Sequence, residues 1–141
     1  MEYVSNSPED TFRWASLFSD KVKPGDIICL SGDLGCGKTV LAKGFGAGLG
    51  ISSEITSPTF TLINVYDSPG QRLPLYHFDV YRISGSDEMD DTGYEDYFFG
   101  NGVCLIEWAE IIRGLIPDSA VWITIEKDIN ISDDYRRITC K

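Results

Sequence analysis

Residues 32–39 read Gly32-Asp33-Leu34-Gly35-Cys36-Gly37-Lys38-Thr39, and this stretch decides the fold. It matches G-x-x-x-x-G-K-[ST], the pattern of a phosphate-binding loop. The segment before it, DIICLS (26–31), is a short apolar run of the kind that forms a buried parallel strand. Residues 38–49 after it are rich in helix formers, although Gly44, Gly46 and Gly48 weaken that helix by propensity. Strand, glycine loop and helix in this order make an anion cradle. Glycines let backbone N–H groups converge, and the helix offers its positive end to the same ligand. Lys38 adds a point charge at the β/γ oxygens of a nucleoside triphosphate, and the Thr39 hydroxyl can ligate magnesium. The expected phosphate-binding set is Gly32, Asp33, Leu34, Gly35, Cys36, Gly37, Lys38, Thr39 and Val40. Cys36 reads as a small loop residue rather than a redox switch.

Working outward, residues 8–20 (PEDTFRWASLFSD) have roughly helical apolar spacing and begin with Pro8, Glu9 and Asp10. Pro24-Gly25 marks a turn. Strands are expected at 60–66 (FTLINVY), 74–81 (PLYHFDVY), 102–107 (GVCLIE), 121–126 (VWITIE) and 135–141 (YRRITCK), with a short helix at 111–117. No repeat, low-complexity tract or linker interrupts the pattern. The 141 residues suit one domain, 1–141. The fold class is α/β: a single P-loop NTPase-like domain with a mixed, mainly parallel sheet flanked by helices.

Composition narrows the function. The net charge of −10 argues against a direct grip on nucleic acid, which needs a basic face to displace counterions. A role in a nucleic-acid pathway would run through a protein partner. No apolar run approaches the roughly 18–20 residues of a membrane span. The first residues lack the basic and apolar regions of a secretory signal, so a cytoplasmic protein is expected. Cys29, Cys36, Cys104 and Cys140 form no CxxC pair and read as reduced thiols, with no disulfide.

A phosphate loop needs a carboxylate on a neighbouring strand to hold magnesium or its waters. Glu107 ends Val103-Cys104-Leu105-Ile106, and Asp79 lies in Tyr76-His77-Phe78-Asp79-Val80-Tyr81-Arg82. Either could ligate, and each also fits a solvated strand end. Ser57-Pro58-Thr59-Phe60-Thr61 suits a loop that senses the γ-phosphate, or a plain Ser-Pro turn. His77, the only histidine, shares a strand face with Asp79 and is expected to be a partly buried, hydrogen-bonded imidazole rather than a general base. Trp108 should point away from Glu107 if the strand continues; it either packs or contacts the nucleotide. Glu88 to Asp96, beside Tyr94, Tyr97, Phe98 and Phe99, is a solvated acidic loop or an acidic-aromatic docking surface.

Taken together, SGDLGCGKT, SPTFTLINVY, YHFDVYRI, GYEDYF and VCLIEWAE resemble the TsaE family, formerly YjeE, of bacterial tRNA-modification ATPases. They occur in the family's order and spacing over about residues 26–110. The resemblance implies an ATP- and Mg2+-binding subunit in formation of threonylcarbamoyladenosine at position 37 of ANN-decoding tRNAs. It implies a TsaB–TsaD-like heterodimer as partner, reset between turnovers by ATP, with tRNA met only indirectly. By the same resemblance Lys38 and Thr39 bind phosphate and magnesium, and Glu107 is the magnesium carboxylate. Asp79 and Thr59 lie by the γ-phosphate, Trp108 is the family's tryptophan, and Arg137 is a C-terminal arginine near the nucleotide. Cys36 stands where members usually have Ala, and the C-terminal extension of some members is largely missing.

Three rival functions are weighed against this one. A small-molecule kinase needs an acceptor pocket and a lid with arginines, and the chain has few residues to spare for either. A GTP switch needs an N-K-x-D or T-K-x-D element, and none is present. A non-hydrolysing, nucleotide-gated docking module differs from the favoured reading only in its rate of phosphate release. Arg82 is a candidate arginine finger in cis, and a partner could supply one in trans.

Overall fold

The computed structural model describes residues 1–33, 35–58 and 62–141. Its frame is a seven-stranded sheet made of β1 (Glu2–Ser5), β2 (Ile27–Ser31), β3 (Ile63–Tyr66), β4 (Leu75–Asp79), β5 (Val103–Glu107), β6 (Val121–Lys127) and β7 (Arg136–Cys140). The order across the sheet is β1-β7-β6-β2-β5-β4-β3. Strands β6, β2, β5 and β4 run parallel at the centre. Antiparallel β7 and β1 extend one side and antiparallel β3 the other. The α/β class and the mixed, mainly parallel sheet are as the sequence reading expects.

Alternation along the strands separates two cores. Ile28, Leu30, Leu75, Val103, Leu105, Ile123, Ile125 and Ile138 face α1 (Pro8–Ser19) and α2 (Lys38–Gly48), where they meet Ala15, Leu41 and Phe45. Ile27, Cys29, Phe78, Cys104 and Ile106 face the other way, onto Met89, Phe98, Ala109 and Ile112. That second layer comprises 3-10 turns at Ser86–Met89 and Ala109–Leu115 and the short α3 (Tyr94–Phe98). Both faces of the central strands are therefore covered, which is why they read as continuous apolar runs.

Helix α1 starts as its sequence dictates. Ser7 accepts a hydrogen bond from the Asp10 N–H (3.1 Å), Pro8 opens the first turn, and Glu9 and Asp10 complement the helix dipole. The glycines of α2 are packing residues. A Cβ on Gly44 would collide with the backbone of Phe12, and one on Gly48 with that of Ser16. Glycine at these two positions, one turn apart, lets α1 and α2 approach closely.

Several expectations change. The expected strand at 60–66 is described from Ile63, with residues 60 and 61 outside the described residues. The expected helix at 111–117 is a 3-10 segment beginning at Ala109 and kinked at Ile112. Strand β1, which the sequence reading did not include, is held by β7. The acidic 88–96 region consists of the end of a 3-10 turn, a further turn and the start of α3, and Tyr94, Tyr97 and Phe98 turn inward onto the second core, leaving Phe99 exposed.

Candidate functional site

The loop after β2 takes its shape from three glycines with left-handed backbone: Gly32 (φ 151°), Gly35 (φ 76°) and Gly37 (φ 108°). At Gly32 a Cβ would stand 2.7 Å from both Cys36 Sγ and the Ile125 carbonyl oxygen, so only glycine fits. Gly37 is the N-cap of α2 and supplies no side-chain cap, so the first N–H groups of the helix stay free for an external anion. Cys36 is buried beneath the loop with its Sγ against Gly32, which fits the small-residue reading. Burial pushes the Cys36 thiol pKa up, and the nearby Lys38 charge opposes that shift only in part. Leu34 lies outside the described residues, as do Thr59, Phe60 and Thr61 of the expected sensing loop.

Lys38 is 6% exposed. Its Nζ donates to the Gly32 carbonyl (2.7 Å) and stands 3.6 Å from the centre of the Trp108 ring. No carboxylate pairs with it among the described residues. A buried ammonium whose partners among the described residues are a carbonyl and an aromatic face is matched to an incoming anion.

The parallel strands deliver the remaining groups at their C-terminal ends, where open α/β sheets bind ligands. Asp79 of β4 and Glu107 of β5 are register partners. Both lie on the face that carries Leu75 and Leu105, toward α2. A cleft of about 420 Å³ is lined by Gly35, Gly37, Lys38, Thr39, Val40, Ser57, Asp79, Glu107, Trp108 and Arg136. Burial raises the Asp79 carboxyl pKa above the usual range; the Tyr81 N–H (3.0 Å from Oδ1) pulls it back and the Glu107 charge adds to the rise. Two carboxylates that repel each other beside a threonine hydroxyl form a donor set suited to a hard divalent cation. His77, also on this face, is fully buried and its Nε2 lies 2.7 Å from Glu107 Oε2, a deeper position than the sequence reading gives it.

Trp108 does not continue the strand. Its backbone is left-handed (φ 63°), which ends β5 at Glu107 and turns the indole onto the Lys38 side of the cleft, with the Tyr81 ring tilted against it at 46° and 4.8 Å between centroids. Arg137 lies on the exposed face of β7 and pairs with Glu126 at 3.1 Å. The neighbouring Arg136 is the arginine in the cleft; its Nε donates to the Cys36 carbonyl at 2.7 Å. The signal was available in the sequence. Ile138 is an apolar core residue, and period-2 alternation puts residue 136, not 137, on its face.

A second groove, of about 550 Å³, runs between α1 and α2 beside Phe12, Leu17 and Val40. It is mainly apolar and has no converging carboxylates or loop amides.

A family model described as "Threonylcarbamoyl adenosine biosynthesis protein TsaE" matches residues 5–138. The chain belongs to the TsaE family. Among its relatives, the tRNA threonylcarbamoyladenosine biosynthesis protein TsaE of Bacillus subtilis (strain 168) is 47% identical over 139 residues, 99% of this chain and 84% of that one. The protein of the same name from Treponema pallidum (strain Nichols) is 42% identical over 139 residues, 99% of this chain and 98% of that one. A solved structure, "Crystal structure of Bacillus subtilus YdiB", aligns with a TM-score of 0.81 at 41% identity, covering 99% of this chain and 83% of that one. TsaE membership brings a place in threonylcarbamoyladenosine biosynthesis and a P-loop, ATPase-like architecture. The cysteines Cys29, Cys36, Cys104 and Cys140 of this TsaE chain are free, and no helix among the described residues is long and apolar enough to cross a membrane.

Proposed function

We propose that this chain is the ATP-binding and ATP-hydrolysing subunit in formation of the threonylcarbamoyl group on adenosine 37 of tRNA. It would act through a TsaB–TsaD-like complex and meet tRNA only indirectly. The observation that supports the reading most is the buried Lys38 ammonium under the glycine loop, with no carboxylate paired to it among the described residues, opposite the register partners Asp79 and Glu107. The net charge of −10 supports a partner rather than the tRNA itself as the direct contact.

In this reading the N–H groups of Gly35 and of Gly37 to Thr39 receive the phosphates, and Lys38 leaves the Gly32 carbonyl to neutralise the β/γ oxygens. Thr39 and Glu107 would hold magnesium, which supplies charge neutralisation at the transferred phosphoryl group. Asp79 orients the attacking water or a water of the metal shell. Arg136, rather than Arg137, reaches the phosphate side of the loop, and Trp108 closes the cleft over Lys38. Positioning and electrostatics would supply the rate enhancement.

The test is phosphate release from ATP by the chain alone and with its partner heterodimer. Slow release alone and stimulation by the partners is the expected result. Absence of stimulation would count against a reset of the complex, and faster phosphate transfer to a metabolite than to water would favour a kinase. Lys38→Ala should abolish tight ATP binding. Glu107→Ala should reduce magnesium-dependent turnover by at least about a hundredfold while changing nucleotide affinity far less. Normal turnover by Glu107→Ala would remove Glu107 as the metal carboxylate.

A further inference from the structure

His77 and Glu107 form a buried pair, the one 1% and the other 4% exposed, joined at 2.7 Å between Nε2 and Oε2. An ionised carboxylate has no proton to offer, so the imidazole Nε2–H donates. The other ring nitrogen, Nδ1, is buried and finds no partner among the described residues. The register explains the geometry. His77 lies opposite Leu105, and Asp79 opposite Glu107. His77 therefore stands one pleat below Glu107 on the same face. From there it engages one carboxylate oxygen and leaves the other to the cleft that Glu107 lines.

We propose that His77 is a positioning residue: its Nε2–H clamps Glu107 Oε2, so that the free oxygen meets a divalent cation in one orientation. The clamp sets affinity for the metal and leaves affinity for the metal-free nucleotide alone. This rests on the reading of the cleft as a magnesium–nucleotide site. Without the clamp a buried carboxylate would rotate and would lose the hydrogen bond that offsets its desolvation. A histidine that merely fills space would be replaceable by any group of similar size.

The experiment uses the full chain with ADP. Manganese binding is followed by electron paramagnetic resonance, nucleotide binding is measured in EDTA, and thermal melting reports the fold. His77→Asn and His77→Leu should lower manganese affinity roughly tenfold or more, with nucleotide affinity in EDTA within about twofold. His77→Gln should stay within about threefold of the parent, because its amide nitrogen reaches the place of Nε2, whereas the Asn amide stops near Nδ1. A folded His77→Asn that binds manganese like the parent overturns the proposal. So does a His77→Gln that falls as far as His77→Asn, since shape would then matter and the donor would not. Where His77→Leu does not fold, His77→Asn carries the comparison. In a Glu107→Gln background, His77→Asn should cause no further loss, and an additional tenfold loss there also overturns the clamp. If the parent shows no cation-dependent nucleotide binding, the reading of the cleft falls first and the clamp with it.

Discussion

Trp108 carries φ 63°, a left-handed backbone that costs a bulky residue about 1–2 kcal/mol. That strain is what turns the indole toward Lys38, 3.6 Å from the ring centre, instead of away from the cleft. Alternation alone sends the residue after Glu107 to the opposite face, so a sequence reading that assumes a continuing strand misplaces the ring. Arg136 and Arg137 illustrate the opposite case, in which simple alternation along β7 sets Arg136 beside the loop and Arg137 against Glu126. Arg136→Ala should weaken nucleotide binding by about tenfold, and Arg137→Ala should leave both binding and the urea midpoint unchanged, since its pair with Glu126 is exposed to solvent. Isothermal titration with ADP and urea denaturation check both. Gly32→Ala should cost about 2 kcal/mol of stability, because it adds a methyl against Cys36 Sγ and Ile125 O at a left-handed position. Urea midpoints compared with those of Gly25→Ala, where φ is 90° but no atom lies within 4 Å, separate crowding from backbone strain.

At the scale of elements, the seam between α1 and α2 answers the question that propensity leaves open. Three glycines in eleven residues make α2 a poor helix in isolation. In the fold, Gly44 and Gly48 form the surface on which α1 rests, and Gly46 faces Ile55. Gly44→Ala should therefore destabilise the protein by about 1–3 kcal/mol despite a propensity gain of up to about 1 kcal/mol. Chemical denaturation decides between the two signs. The elements with a strong period were legible: α1, α2 and the strands β2, β4, β5 and β6 fall within one or two residues of their expected bounds. Strand β1 was not, because four residues with an exposed Glu2 and Val4 carry no periodic signal, and their pairing depends on β7 far along the chain. The 3-10 segments and α3 are too short for helical periodicity and are set by packing of Met89, Phe98 and Ile112. In the site, the loop and both carboxylates could be read from motif and position. The His77–Glu107 hydrogen bond could not, since it depends on the register between two strands.

For the molecule as a whole, the two buried thiols of the sheet make stability depend on alkaline pH. Burial pushes Cys29 and Cys104 up to about 12. Below pH 9 the folded and unfolded chains hold both protons alike, and ionisation of the thiols contributes nothing to the pH dependence of stability. Between 9 and about 12 the unfolded chain releases them while the folded chain keeps them, so unfolding becomes more favourable as pH rises. The slope is about 1.4 kcal/mol per pH unit for each thiol. Replacing both with alanine should lower stability at pH 7 and flatten this alkaline fall; melting curves from pH 8 to 11 measure the difference. In native buffer the partly exposed Cys140 should react with a thiol reagent well before Cys29 or Cys104.

The pairing of β1 with β7 also ties Glu2–Ser5 to Arg136–Cys140 across almost the whole sequence. Arg136, which donates to the phosphate loop, lies on that same β7. A proteolytic cut between β6 and β7 that released β7 would therefore leave the glycine cradle standing, yet remove at one stroke the neighbour of β1 and the arginine that braces the loop.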